Sequence, residues 1–216
     1  MKAENLFTGA LPRTSILTKE ADRLVYNSDG VTLERFTPSL VFLPVTAEEV
    51  RNIIRICHRE QIPFVTRGAG TGLSGGALAC SDAVMIVTSK LDRILEVNVE
   101  ERWATCESGV VNENLSKVVK SYGLHFAPDP SSGTASTIGG NIAENAGGPH
   151  CLKYGATAEH ILALEVILPN GETIWLDSEN ETASLLSLFI GSEGTLGVIS
   201  KAKVKLTPLP EGVRTM

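Results

Sequence analysis

The stretch VTRGAGTGLSGG (65–76) places five glycines in the ten positions from Arg67 to Gly76. Glycine loses more conformational freedom on folding than any other residue, so such a run is costly unless something must approach the main chain closely. Gly70-Thr-Gly72-Leu-Ser-Gly75 satisfies G-x-G-x-x-G. A dinucleotide fold, however, needs that loop to open a long helix whose N-terminus takes the pyrophosphate. The next segment is GALACSDAVMIV (76–87), too short and too strand-like for that helix. It contains no G-K-[S/T] either, so a Walker loop fails. Successive N–H groups can still form a nest that binds phosphate without a helix. Gly68, Gly70, Gly72 and Gly75 would permit the positive φ values of a nest, and Thr71 and Ser74 would add hydroxyl donors. The plainer alternative is a flexible surface loop, which the strand pattern before it disfavours.

Two further clusters point to a larger ligand. STIGGNIAENAGGPHCLKYG (136–155) carries Gly139-Gly140 and Gly147-Gly148 around a short apolar segment, and GSEGTLGVI (191–199) is a third. A small anion needs one such stretch; three imply one large flat ligand touched by backbone from several segments. Metal chemistry has little support. Cys57, Cys80, Cys106 and Cys151 form no C-x-x-C, and His58, His125, His150 and His160 form no H-x-H or H-x-x-x-H pair. We therefore expect no metal ligand among them.

The elements that must position these loops are legible in part. SLVFLP (39–44) reads as a buried strand. Thr46-Ala-Glu-Glu49 reads as a capping box opening a helix to about Glu60, with Val50, Ile53, Ile54 and Cys57 on its apolar face. IPFVT (62–66) is the strand that delivers the chain into the glycine loop. DAVMIVT (82–88), ILEVNV (94–99) and WATCESGV (103–110) read as strands, the last two paired. Asn112 starts a helix expected to turn Leu115, Val118 and Val119 inward. Residues 161–176 read as a hairpin about Pro169-Asn170-Gly171, 182–190 as a helix and 195–206 as a strand. Helices and strands mix without strict alternation, which predicts an α+β or mixed α/β fold.

The bulk numbers agree with an ordinary globular protein of 216 residues, 43% hydrophobic and 20% charged. A net charge of −6 without a basic stripe argues against nucleic acid. No apolar run is long enough for a membrane span, and the N-terminal MKAENLFTGA carries no apolar signal region, so a reducing, cytoplasmic setting is expected.

PFVTRGAGTGLSGG, the Pro128-Asp129-Pro130 triplet, STIGGNIAENAGGPHCLKYG and GSEGTLGVIS occur here in one order. Together they resemble the FAD-binding domain of the vanillyl-alcohol oxidase/p-cresol methylhydroxylase type. Within that superfamily the chain looks most like the large flavin subunit of glycolate oxidase, with D-lactate and D-2-hydroxyglutarate dehydrogenases close by. The likeness runs from about Tyr26 to Pro208.

The resemblance implies an α+β, two-lobed domain over 37–208, with FAD held between the lobes. An N-terminal helical segment (1–36) would precede it, and 209–216 would start a linker to a C-terminal cap domain. Carried over residue by residue, the amides of Arg67, Gly68, Ala69, Gly70, Thr71, Gly72 and Leu73 would cradle the pyrophosphate. Pro128, Ser136, Thr137, Gly139, Gly140 and Asn141 would line the flavin and diphosphate, and Val198 and Ile199 would touch the cofactor by backbone. Asn145, Gly147 and Tyr154 lie in the adjoining stretch. Glu193 reads as structural, and Arg67 as either a lobe-to-lobe ion pair or a flavin contact.

The family's substrate-facing groups, including a histidine-rich metal motif, lie in the cap, so no catalytic residue and no metal is assigned. Non-covalent FAD is implied, because Thr71 stands where tethering relatives carry a histidine; Cys151 is the alternative attachment point. The implied partners are a 2-hydroxy acid, met through the cap, and other oxidase subunits including an iron–sulfur subunit, which could hold the protein at the inner membrane. Two rival readings stay open: another flavin reaction of the superfamily, such as enolpyruvyl reduction, and a flavin-binding or assembly module without its own activity.

Overall fold

Two sheets, each with its own hydrophobic core, divide the chain into two lobes in the computed structural model, which describes residues 3–80 and 82–212. In the first lobe, 3-10 turns at Ala3–Phe7 and Arg13–Ser15 lead into strand β1 (Ile16–Leu17) and helix α1 (Glu20–Arg23). Then come β2 (Leu40–Phe42), α2 (Ala47–Glu60), β3 (Phe64–Arg67) and β4 (Val84–Val87). The sheet order is β1-β2-β4-β3, with β2 and β3 both parallel to β4 and β1 antiparallel at the edge. The N-terminal residues thus add a strand and core side chains: Phe7, Leu11 and Ile16 pack in the first lobe's core, with the Phe7 and Phe42 ring centroids 4.5 Å apart.

Helix α2 begins where its capping box places the start. The Thr46 hydroxyl accepts from the Glu49 amide at 3.2 Å, while the Glu49 carboxylate reaches back to the Val45 amide at 2.6 Å. Two amide donors that an N-terminus leaves open are thereby satisfied. Val50, Ile53, Ile54 and Cys57 form the buried face. The helix stops at Gln61, a left-handed residue with φ 55°.

The second lobe holds β5 (Ile94–Asn98), β6 (Trp103–Glu107), α3 (Asn112–Val119), β7 (Leu124–His125), α4 (Ile138–Ala143) and α5 (Cys151–Tyr154). It continues with β8 (Ile161–Ile167), β9 (Thr173–Asp177), α6 (Ala183–Phe189), β10 (Val198–Lys205) and β11 (Thr207–Pro208). Its five-stranded antiparallel sheet runs β5-β6-β10-β8-β9, and β11 pairs with β7 as a short ribbon. The hairpin about 169–171 forms as read, with Ile167 opposite Thr173. Val118 departs from the expectation: it is 49% exposed, while Leu115 and Val119, one helical turn apart, face the core.

The lobes are not independent bodies. Ile167 of β8 and Val198 of β10 belong to the first lobe's core beside Ile53, Ile54 and Ile86. Of the stretch 209–216, residues 213–216 lie outside the described residues, as do residues 1 and 2 of the N-terminal segment.

Candidate functional site

Strands β3 and β4 end together, Arg67 opposite Val87, so the glycine loop after β3 and Thr88 after β4 emerge at one carboxyl edge of the parallel strands. That edge is where open parallel sheets place ligands. Facing it across a cleft of about 300 Å³ are the start of α4, the turn at 191–197 and the first residues of β10.

The predicted residues Arg67, Gly68, Ala69, Gly70, Thr71, Gly72, Leu73, Ser136, Thr137, Gly139, Gly140, Asn141, Val198 and Ile199 all line this cleft. Pro128 does not. It is buried behind the wall, where its carbonyl accepts from the Asn112 side-chain amide at 3.0 Å. Asn112 in turn accepts from Asn141 at 2.8 Å, so a buried amide chain ties α4 to α3 and to the Pro128 segment. Asn145 and Tyr154 also lie off the lining; the Asn145 side-chain Oδ1 accepts from the Ala158 amide at 2.9 Å.

Hydrogen-bond accounting separates the two walls. Around α4, Ile138 N–H donates to Val110, Gly139 to Ser108, Gly140 to the Thr137 hydroxyl and Asn141 to the Thr137 carbonyl, at 2.8, 2.8, 3.2 and 2.8 Å. The short helix therefore has no free donors to offer an anion in its first turn. The opposite holds for the glycine loop. Among the described residues, no backbone N–H from Gly68 to Ser74 donates to any carbonyl or side chain. Backbone donors in a folded interior are nearly always paired, so a run of open ones on residues lining a cleft is a site for a hydrogen-bond acceptor. Ser136 adds a buried hydroxyl to the same lining, 3% exposed and without a partner among the described residues.

The loop's conformation is only partly the expected nest. Gly70 and Gly75 have φ 73° and 84°, but Gly68 and Gly72 do not have positive φ. Gly68 is required for space instead, since a Cβ there would collide with the Thr137 hydroxyl at the start of α4.

Among the described residues Arg67 forms no ion pair, so it is not a lobe-to-lobe bridge, and it lines the cleft. Its guanidinium donates to the Ser28 carbonyl at 2.7 Å and lies toward Ala77, beneath Gly70, with the Tyr26 ring centroid 5.9 Å away. It braces the loop through the Ser28 and Ala77 carbonyls. Burial lowers its pKa below the usual guanidinium value, partly countered by Tyr26 and Asp29.

Glu193 is structural in its backbone, as expected: it adopts φ 54° and donates to Ala143 at 2.8 Å. Its carboxylate, however, lines the cleft beside Glu144, a residue that sequence reasoning passed over. Glu144 accepts from the Ser74 hydroxyl at 3.2 Å, a bond that crosses the cleft. Burial, and then the charge of Glu193, push the Glu144 pKa above its usual 4.5, with the Ser74 bond opposing. The signal that could have found it is its place between Asn141, already assigned to the site, and Gly147-Gly148. None of the four histidines lines the cleft; His150 instead pairs with Asp129, and His125 packs edge-on to Tyr154 at 5.8 Å.

A cleft at the carboxyl edge of parallel strands, walled by a donor-rich glycine loop and a second α+β lobe, is the frame of a nucleotide-cofactor domain. A family model described as an FAD binding domain matches residues 38–177, and the chain belongs to that family. It is of the p-cresol methylhydroxylase type, mixed α+β in fold.

Among its relatives, the chain is 45% identical over 209 residues to glycolate oxidase subunit GlcD of Escherichia coli K12, covering 95% of this chain and 42% of that protein. It is 39% identical over 211 residues to a D-lactate dehydrogenase of Anaerostipes hadrus, covering 96% and 44%. The chain thus spans less than half the length of these relatives. Among solved structures, alkyldihydroxyacetonephosphate synthase superimposes with a TM-score of 0.88 at 22% identity, covering 98% of this chain and 42% of that one, a likeness of fold.

Proposed function

We propose that this chain binds FAD non-covalently across the cleft, as the cofactor-binding part of an enzyme that dehydrogenates a 2-hydroxy acid such as glycolate or D-lactate. The observation that carries the reading is the run of open amides from Gly68 to Ser74 at the carboxyl edge of β3 and β4. Those donors suit the diphosphate of a dinucleotide, and the long cleft wall from Ser136 to Asn141 and on to Ile199 suits the rest of an extended ligand. The names of the relatives supply the substrate class.

FAD, when bound, supplies the hydride acceptor. The protein's own contribution is placement. Main-chain dipoles at 68–74 meet the anion, with the Arg67 guanidinium under Gly70 bonded to the Ser28 carbonyl. Glu144, the carboxylate hydrogen-bonded to Ser74 of that loop, has its pKa raised and is thereby more easily neutralised than an ordinary glutamate. Ser136 holds a buried hydroxyl ready to donate or accept, and Thr137 sets the approach of α4 to the loop. Other oxidase subunits are proposed partners by the same kinship.

Reconstitution followed by denaturation and chromatography of the released cofactor tests the reading. FAD is expected in the supernatant; uptake of NAD or FMN but not FAD would overturn it. Acid precipitation should leave a colourless pellet. Thr71 is no attachment group, and the Cys151 thiol lies off the cleft lining, accepting from the Gly148 amide at 3.0 Å. A yellow, fluorescent pellet would contradict non-covalent binding.

A further inference from the structure

The glycine loop does not hold its shape alone. Residues Tyr26 to Thr32 lie against its back, outside the cleft, and three contacts made by different atoms join them to it. Gly30 N–H donates to the Gly72 carbonyl at 3.1 Å. The Arg67 guanidinium, seated beneath Gly70, donates to the Ser28 carbonyl at 2.7 Å. Tyr26 stacks under the same guanidinium at 5.9 Å.

The segment is itself pinned. Asp29 is 7% exposed, and one of its carboxylate oxygens accepts from the amides of Val31 at 3.0 Å and Thr32 at 3.2 Å. Thr32 takes a left-handed φ of 62°, and Phe36 N–H closes the segment by donating to Asn27 at 2.9 Å. The fit at Gly30 is backbone on backbone. A Cβ there would lie 2.7 Å from the Thr71 carbonyl oxygen and 3.0 Å from that of Gly72. No flexible side chain can yield at such a contact, so the loop would have to move.

We propose that Tyr26–Thr32 is a positioning strap for the glycine loop, with Gly30, Asp29 and Arg67 as its positioning residues, so that the cofactor unit begins well before residue 38, where the family model starts. The proposal rests on the reading of 68–74 as the diphosphate cradle. Its physical basis is preorganisation: seven open amides converge on one ligand only if the loop's dihedrals are held beforehand, and loops left free must be ordered on binding at a cost in affinity. In the strap, the Gly72 carbonyl is held from behind by Gly30. The flanking amides, on residues that line the cleft, are then left open.

The test uses the full chain with Gly30→Ala, Arg67→Lys and, as a control, Leu33→Ser, whose side chain is 82% exposed and outside these contacts. FAD titration by flavin fluorescence should show a loss of about tenfold or more in affinity for Gly30→Ala and for Arg67→Lys, with the control unchanged. Melting of the cofactor-free proteins should shift far less than loss of the fold would require. A second readout needs no ligand: by hydrogen exchange, the Gly30 amide is protected in the wild type and exchanges about tenfold faster in Arg67→Lys. Wild-type FAD affinity in Gly30→Ala, or Gly30 protection unaltered in Arg67→Lys, overturns the strap. A wild-type chain that takes up no FAD but shows this exchange pattern instead overturns the assignment of the cofactor and leaves the strap standing.

Discussion

Gly70 carries two constraints at once: a left-handed backbone and a guanidinium directly beneath it. Gly70→Val therefore meets strain of order 1–3 kcal/mol from φ alone, and the clash with Arg67 adds to it. The loop relieves both by moving, which misdirects its amides. FAD affinity should fall by about a hundredfold while the cofactor-free melting temperature changes little; titration beside thermal melting reads both. Glu144 gives a pH dependence of determinate sign. Its folded-state pKa is raised above 4.5 by burial and by Glu193, so the charged form is disfavoured in the native state at neutral pH. The wild type gains stability as pH falls through the raised pKa toward 4.5. Glu144→Gln should be the more stable protein at pH 7, with the difference shrinking across that window in urea titrations at several pH values. A difference that grows on acidification would contradict the placement of the two carboxylates.

Among the elements, α2 and β3 act as one device: the helix covers the parallel sheet and returns the chain so that β3 delivers the glycine loop beside the end of β4. The reciprocal cap of Thr46 and Glu49 sets where that helix starts. Thr46→Ala should cost about 1 kcal/mol. In a chain of this size that lowers the melting temperature by about 2–4 °C, with FAD affinity near wild type, because the cap lies outside the cleft lining. Helix α4 has a different task. Its first-turn amides are satisfied internally, and its C-terminal carbonyls at Ile142 and Ala143 accept from Gly191 and Glu193 at 2.9 and 2.8 Å. The helix is a wall that joins the second glycine cluster to the third, not an anion trap.

For the whole molecule, the shared core around Ile167 and Val198 fixes how the lobes meet and hence the width of the cleft. The cleft lining contains two glutamates and no imidazole. A base for the hydroxyl proton of a 2-hydroxy acid must stand within hydrogen-bond reach of it, with a pKa suited to the task. The 216-residue chain loaded with FAD should accordingly be bleached only slowly by glycolate, D-lactate or D-2-hydroxyglutarate under anaerobic mixing. Rapid bleaching would make Glu144 or Glu193 the base.

Local pattern was enough for the capping box of α2, the alternating and buried strands, the hairpin about Gly171 and three glycine clusters whose order matches one family of FAD-binding domains. Each signal lies within one element or one turn, where residue type acts on its own backbone. Which amides are open is a different matter, settled only when the chain folds on itself. Those of α4 are engaged by Val110, Ser108 and Thr137, while those of Gly68 to Ser74 find no partner among the described residues. Folding also bonded Arg67 to Ser28, set Pro128 behind the wall, faced Val118 outward and brought Glu144 to Glu193. Hydrogen-bond satisfaction, burial and charge proximity belong to pairs of residues far apart in the chain, and no period or motif in one segment records what the fold will place against it.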